Sequence, residues 1–169
     1  LSYRWMPPEA GTQFLIKATV SEQSLFLWSN TAGGTEHEKG ESIALDDRDE
    51  LHAYVVGHFE GVCDFSDEFT LASTGGSDIF VAKYETQEGN CIWAFKAGGR
   101  NGMDSARGVC LDPDGNIYVT GVCYKGARFG AQTPTMEQEG KPYCFLARYA
   151  PDGRYPNVKV IGAKDVYTG

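Results

Sequence analysis

The stretch that decides the fold is SDIFVAKYETQEGNCIWAFKAGG, residues 77–99. Its segments 79–84 and 91–95 are rich in β-branched and aromatic side chains, which are typical of strands. Residues 88–90, Glu-Gly-Asn, have the composition of a tight turn between them. The stretch therefore predicts two antiparallel strands joined as a hairpin.

This hairpin recurs along the chain. Its first strand matches F-L-I-K at 14–17 and F-L-A-R-Y at 145–149, which begin 66 and 65 residues from Phe80. Trp28 and Trp93 are 65 residues apart, and Y-V-V-G at 54–57 matches Y-V-T-G at 118–121. A repeat of this length indicates an architecture built from equivalent units.

Each complete repeat contains four predicted strands joined by hairpins, which is typical of a β-propeller blade. From the innermost strand outward, the predicted strands are 42–45, 52–59, 79–84 and 91–97, then 106–111, 116–123, 143–149 and 158–162. The pair 13–20 and 25–31 is the outer half of a preceding blade. We therefore predict an all-β protein made of four-stranded antiparallel blades, of which about two and a half are present.

The predicted organisation places the blades within residues 11–162. Its parts are an N-terminal segment at 1–10, a half blade at 13–31, blades at 42–97 and 106–162, and a tail at 163–169. Two and a half blades cannot close a ring, because propellers have about four to eight. We expect a piece of a longer protein, with the edge at 14–31 covered by material outside the chain; completion by other copies or another subunit is the alternative.

The combined string GGSDIFVAKY…WAFKAGG…LDPDGNIYVTG resembles the SBBP-type β-propeller repeats of bacterial secreted and cell-surface proteins. The resemblance covers residues 14–161. The first repeat lacks the D-P-D-G turn, and Tyr143 stands where the pattern has Asp78. The resemblance implies a scaffold with an extracytoplasmic location (secreted, periplasmic or cell surface) and no catalytic residues.

Charge and composition exclude several classes of partner. The formal charge of −8 and the pI near 4.8 disfavour nucleic acid and anionic membrane surfaces. No apolar run approaches the roughly 18 residues of a membrane span, so we expect no direct membrane insertion. Five cysteines without a C-x-x-C pair disfavour zinc and thioredoxin-like sites. We expect buried thiols, with one or two disulfides as the alternative.

The long predicted loops at 32–41, 60–76, 98–105 and 124–142 share one face, and such loops commonly carry function. The candidate binding residues on them are His37, Asp64, Phe65, Arg100, Asn101, Asp104, Arg107 and Arg128. The alternative role of these residues is to stabilise the loops by ordinary hydrogen bonds and salt bridges. Arg107, beside a short inner strand, is also placed to point into the hub channel.

Acidic turns on the opposite face raise the question of calcium. Asp112, Asp114 and Asn116 have the spacing of the first EF-hand ligands, but Gly115 is misplaced and Cys123 occupies the position of the bidentate glutamate. We therefore reject an EF-hand and expect no metal and no cofactor; some other calcium contact is the alternative.

Catalysis has little support in the sequence. His37, His52 or His58 would have to combine with a serine, and no nucleophile elbow G-x-S-x-G is present. The leading interpretation is a non-catalytic propeller that scaffolds or binds a protein partner in an extracytoplasmic assembly. The alternatives are a secreted propeller enzyme with residues lining the hub channel, and a carbohydrate-binding propeller that uses the loop aromatics Phe65, Phe69, Tyr124 and Phe129.

Overall fold

The computed structural model describes residues 29–46, 48 and 52–162 in full, and the backbone of the strands at 2–3, 13–20 and 25–28. All regular elements in this part of the chain are β-strands. They form three antiparallel sheets, and none of the three closes on itself. The all-β prediction is therefore confirmed. The predicted tail at 163–169 lies outside the described residues.

The described strands are numbered in chain order. They are β1 (Ser2–Tyr3), β2 (Gln13–Val20), β3 (Leu25–Gly34), β4 (Glu38–Asp46), β5 (His52–Phe59), β6 (Val62–Asp64), β7 (Thr70–Ala72), β8 (Asp78–Glu85), β9 (Cys91–Gly98), β10 (Ser105–Leu111), β11 (Ile117–Cys123), β12 (Arg128–Phe129), β13 (Tyr143–Tyr149) and β14 (Asn157–Ile161). Sheet A has the order β1-β2-β3-β6-β7, sheet B β12-β9-β8-β5-β4, and sheet C β10-β11-β13-β14.

Sheets B and C contain the same antiparallel meander, β4-β5-β8-β9 in one and β10-β11-β13-β14 in the other. This is the strand order that the sequence predicts for the two complete repeats. The first hairpin of each sheet has a register shift at the equivalent place, between Gly40 and Ser42 in sheet B and between Ala106 and Gly108 in sheet C. The two repeats therefore share backbone irregularities as well as strand order.

Sheet B lies between the other two sheets. Alternate residues of β8 point to opposite faces, as expected for a strand. Ile79 and Val81 belong to the cluster shared with sheet C, whereas Phe80, Ala82 and Tyr84 belong to the cluster shared with sheet A. This explains why β8 is almost continuously apolar, because both of its faces are buried.

The predicted loop at 32–41 is wrong over most of its length. β3 extends to Gly34 and β4 begins at Glu38, so that only 35–37 connect them. Glycine and charged residues disfavour a strand locally, but β5 offers a complete row of backbone partners, and Glu38 pairs with Phe59. Pairing with this long neighbouring strand overrides the local preference.

The long loops at 60–76 and 124–142 also contain strands that the sequence analysis did not predict. Each loop reaches back to the outer strand of the preceding sheet. β6 pairs with the end of β3, where Gly33 faces Asp64, and β12 pairs with the end of β9, where Gly98 faces Arg128. Each of these loops therefore adds to the sheet of the preceding repeat.

Equivalent glycines allow these loops to approach so closely. A β-carbon on Gly34 would lie 1.7 Å from the carbonyl oxygen of Val62, and one on Gly99 would lie 2.6 Å from that of Gly126. Real side chains cannot occupy such positions, so the backbone of each loop rests directly on the preceding strand.

The edges of the β2–β3 pair are covered in part by this chain itself. β1, within the predicted N-terminal segment, pairs with Ala18 and Thr19 of β2, and β6 covers Gly33 and Gly34 of β3. Residues 4–12 lie outside the described residues. That further material completes this edge stays a prediction.

All five cysteines are free thiols. Cys63 and Cys123 are buried, and burial raises the pKa of each thiol to about 12. The expectation of buried thiols is wrong for Cys110 and Cys144, which are exposed. They alternate with core residues along β10 and β13 and so point to the face of sheet C that sheet B does not cover.

Candidate functional site

A cleft of about 590 Å³ opens between the end of β9 and the loops at 98–104 and 124–130. Three of the predicted site residues, Arg100, Asn101 and Arg128, line it. The other lining residues are Thr74, Lys96, Ala97, Gly98, Gly99, Gly126 and Gly130. Three of the eight predicted binding residues therefore lie together in one concave site.

A buried carboxylate fixes the loop at 99–104 that carries Arg100. Asp104 is fully buried and accepts hydrogen bonds from the backbone N–H groups of Gly99 (2.8 Å) and Tyr124 (2.7 Å). Its own N–H donates to the carbonyl of Ser77 at 2.9 Å. Asp104, a predicted binding residue, therefore holds the wall of the cleft together and presents no surface to a partner.

The environment of Asp104 makes its ionisation unfavourable. Burial raises the pKa of Asp104 to about 7, the two accepted hydrogen bonds lower it in part, and the nearby charge of Asp78 raises it further. The equivalent position in the preceding repeat is Glu38, at the start of β4, whose pKa burial also raises to about 7. The two repeats therefore share a carboxyl group of raised pKa at the start of equivalent inner strands, β4 and β10.

Lys96 lies in the cleft with its charge compensated. Its ammonium is 3.1 Å from Oδ2 of Asp78, which is 1% exposed, and it also donates to Oγ1 of Thr74 and to the carbonyl of Ala72. Asp78 accepts a further bond from the N–H of Thr74 at 2.9 Å. Lys96 and Asp78 therefore tie the loop before β8 to β9.

Arg100 and Arg128 differ from Lys96. Both are exposed, and within the described part of the chain neither guanidinium has an acidic partner or a hydrogen-bond acceptor. Asn101, between them in the lining, donates to the carbonyl of Lys125 at 3.2 Å, which connects the two loops. The cleft therefore contains two uncompensated positive charges on walls held by internal hydrogen bonds.

Two other predicted residues lie at the equivalent corner of sheet A. Phe65 is fully buried and packs against Phe59 and Phe80 with ring centroids 6.5 and 5.0 Å away, so it belongs to the core. Asp64 lines a second cavity, of about 570 Å³, and accepts a hydrogen bond from Oγ1 of Thr70 at 2.6 Å. The other lining residues are Asn30, Thr31, Phe65, Ser66, Asp67 and Thr70.

His37 and Arg107 lie away from both cavities. His37 is exposed in the short connection to β4, where its carbonyl accepts from the N–H of Glu60 at 2.9 Å. Arg107 donates to Oε1 of Glu41 at 2.6 Å, and this ion pair joins β10 to β4. Arg107 is therefore engaged between sheets B and C.

Among the described residues, a serine, a histidine and an acid lie together in a group that the sequence does not predict. Oγ of Ser105 is 3.0 Å from Nδ1 of His58, and Oε1 of Glu41 is 3.7 Å from the same nitrogen. A relay needs the serine and the acid on different ring nitrogens, and Ser105 is only 5% exposed. Burial also lowers the pKa of His58. The group links the sheets in a geometry unsuited to nucleophilic catalysis.

The acidic turn at 112–116 satisfies itself. Oδ1 of Asp112 accepts from the N–H groups of Asp114 and Asn116, and Oδ2 accepts from Nδ2 of Asn116. Among the residues that the structure describes, no group of three or more His, Cys, Asp or Glu side chains is placed to hold a metal ion. Over the same residues, no helix has the length and apolar character needed to cross a membrane.

No protein-family model matches this sequence, and a comparison with curated proteins finds no similar chain. The geometry of the three sheets and of the cleft is therefore the basis for the function proposed below.

Proposed function

We propose that this chain is part of a β-propeller that acts as a non-catalytic scaffold or protein-binding module in an extracytoplasmic assembly. In this proposal sheets B and C are adjacent four-stranded blades, and the ring is completed by further blades. The loop face that carries the cleft would meet the protein partner.

The observation that carries the proposal is the shape of the side-chain layer between sheets B and C. One cross-strand row of sheet B runs from Ser42 on β4 through Val56 and Val81 to Phe95 on β9. The next row runs Ala44, Tyr54, Lys83 and Trp93. In both rows the innermost side chain is the smallest and the outermost is a large aromatic ring.

A layer that thickens in this direction separates the two sheets more at β9 than at β4. β10 accordingly packs against β4 and β5. Sheets that lie close at their inner strands and diverge at their outer strands are arranged radially, as blades are around a hub. A side-chain layer that thickens from the inner to the outer strands therefore supports a propeller over a flat stack of sheets.

The uncovered face of sheet C supports a further blade. This face is equivalent to the one that sheet B presents to sheet C, and it carries Cys110 and Cys144. Leu146 and Ile161 on the same face are 48% and 74% exposed. Apolar side chains exposed on a regular sheet face are typical of a surface that another element covers.

A scaffold role is favoured over the two alternatives by particular contacts. The serine–histidine–acid group around His58 gives the enzyme alternative no support, because its geometry does not permit a relay. The carbohydrate-binding alternative would need exposed loop aromatics, but Phe65 and Phe129 are fully buried and Phe69 and Tyr124 are half-buried. The long loops are also fixed to the preceding sheets by β6 and β12, which gives a rigid surface for a protein partner.

Thiol labelling tests the arrangement. In the folded chain alone, a thiol reagent should modify Cys110 and Cys144 rapidly, while buried Cys63 and Cys123 serve as unreactive internal controls. In the longer protein that contains the next repeat, both outward thiols should become protected. Unchanged reactivity of both in that protein would contradict the radial arrangement.

The non-catalytic role is tested by Ser105→Ala. This change removes the hydroxyl that contacts His58, and we expect binding of the partner, measured by calorimetry with the purified assembly, to be unchanged. If the assembly has a hydrolytic activity that disappears in this variant, the non-catalytic proposal is wrong.

A further inference from the structure

We infer that the cleft between β9 and the loops at 98–104 and 124–130 binds the carboxylate of an extended acidic peptide segment, with Arg100 and Arg128 as its ligands. This inference rests on the proposed protein-binding role and names the chemistry that the partner presents.

The unpaired state of these two arginines is the first argument. The chain has 23 acidic and 15 basic residues, so acidic partners are abundant. Arg48 pairs with Asp46, Arg107 with Glu41 and Arg154 with Asp152. Arg100, Arg128 and Arg148 lack such a partner within the described residues, and of these Arg100 and Arg128 line one cleft. Two uncompensated guanidinium groups in one concavity favour an anionic ligand.

The chemistry of the walls favours a carboxylate. A guanidinium group presents a planar fork of donors that matches the two oxygens of a carboxylate. Lys96 does not compete for the ligand, because Asp78 already compensates its charge. A volume of about 590 Å³ holds an acidic side chain together with neighbouring peptide groups, since ligand cavities span about 300–1,000 Å³.

The adjacent sheet edge favours a peptide. β12 pairs only with Ala97 and Gly98, so the outer edge of β9 over residues 91–96 has no strand partner among the described residues. An extended segment can add to such an edge through backbone hydrogen bonds. A segment lying there would reach the cleft at Lys96, where its acidic side chain meets the two arginines.

The overall charge limits the ligand to few negative groups. A net charge of −8 repels polyanions at long range, so nucleic acids and polyuronates are disfavoured. A segment with one or two carboxylates loses little by this repulsion and gains the local contacts. Its affinity should weaken as salt is added, because the two arginines are exposed.

The test is an NMR titration of the whole chain with acetyl-Val-Thr-Asp-Val-Thr-amide and with the same peptide carrying Asn in place of Asp. The Asp peptide should shift the amides of 91–101 and 126–130 saturably, and the Asn peptide should bind about tenfold or more weakly. Arg100→Gln combined with Arg128→Gln should weaken the Asp peptide by a similar factor. The matched control, Arg148→Gln on the far face of sheet C, should bind like the parent chain.

Equal binding of the two peptides, or unchanged binding by the double variant with an otherwise intact spectrum, would overturn the inference. Inorganic phosphate serves as a third probe. If phosphate binds as tightly as the Asp peptide and the peptide leaves the amides of 91–96 unshifted, the cleft is a simple anion site and the peptide inference is wrong. Each of these failures leaves the thiol-labelling result untouched, so the propeller proposal and this inference can fail separately.

Discussion

Two corners of the molecule have the same backbone and opposite charge. At the corner of sheet A, β6 pairs with the end of β3 and the cavity is lined by Asp64 and Asp67. At the corner of sheet B, β12 pairs with the end of β9 and the cleft is lined by Arg100 and Arg128. Asp64 and Arg128 face equivalent glycines in the two pairings.

The comparison separates what the repeat conserves from what it leaves free. Both corners keep a fully buried phenylalanine, Phe65 or Phe129, and a glycine that admits the loop backbone. The exposed position between these anchors changes from an acid to a base. The backbone geometry of each corner is therefore set by packing and close backbone approach. The exposed charge differs between the two corners without a change in that geometry.

The largest expected effect is loss of a buried anchor. Phe65→Ala and Phe129→Ala each leave a cavity in the core, and each should lower the free energy of unfolding by about 3–5 kcal/mol in urea denaturation. Ile161→Ala, at a position that is 74% exposed, is the control and should change it little. A large loss at one corner combined with a loss below about 1 kcal/mol at the other would break the equivalence.

The second prediction concerns pH and the equivalent carboxyls Asp104 and Glu38. Folding raises the pKa of Asp104 from 3.8 to about 7, so the protonated form is favoured in the folded state. Its contribution to stability is complete below pH 3.8, declines as pH rises, and is lost above about pH 7. Over this window the free energy of unfolding should fall by on the order of a few kcal/mol, and Asp104→Asn should remove that decline.

The same measurement sharpens the comparison between the two repeats. Glu38→Gln should also flatten the profile of unfolding free energy against pH, because both carboxylate oxygens of Glu38 are buried and burial raises its pKa to about 7. Asp152→Asn, an exposed carboxyl group in a turn, is the control. An Asp104→Asn profile parallel to that of the parent chain between pH 4 and 8 would contradict the raised pKa.

The smallest expected effect is on stability when the corner charges are exchanged. Asp64→Arg removes one exposed hydrogen bond to Thr70, and Arg128→Asp removes none within the described residues. Each should change the free energy of unfolding by about 1 kcal/mol or less in urea denaturation. A loss above about 2 kcal/mol in either variant would mean that the exposed charge helps to stabilise the backbone geometry of its corner.

The sequence predicts the elements of this fold better than their connections. Strand order in sheets B and C follows from local patterns, because segments such as 79–84 and 118–121 carry both the β-branched residues and the repeat spacing. The pairings of β6 with β3 and of β12 with β9 are not predicted. They join segments of only two or three residues to the ends of distant strands, and no periodicity marks them.

The sequence predicts several residues of the site but not how they come together. The position of Arg100, Asn101 and Arg128 on long loops predicts that they are exposed to a partner, but their shared cleft depends on the unpredicted pairing of β12. Phe65 sits among Asp64, Ser66 and Asp67, so local composition suggests an exposed loop. Its equivalence to Phe129, 64 residues later, is the signal that would have indicated burial at both positions.

The backward reach of β12 also sets an order for biosynthesis. The outer edge of sheet B receives its last strand from residues 128–129, which are translated 30 residues after β9 ends at Gly98. When all of sheet B's own hairpins have left the ribosome, the sheet therefore still lacks its last strand, β12. Sheets A and B each receive such a strand from the repeat that follows, so a protease cut in that connecting loop would loosen the sheet upstream of the cut.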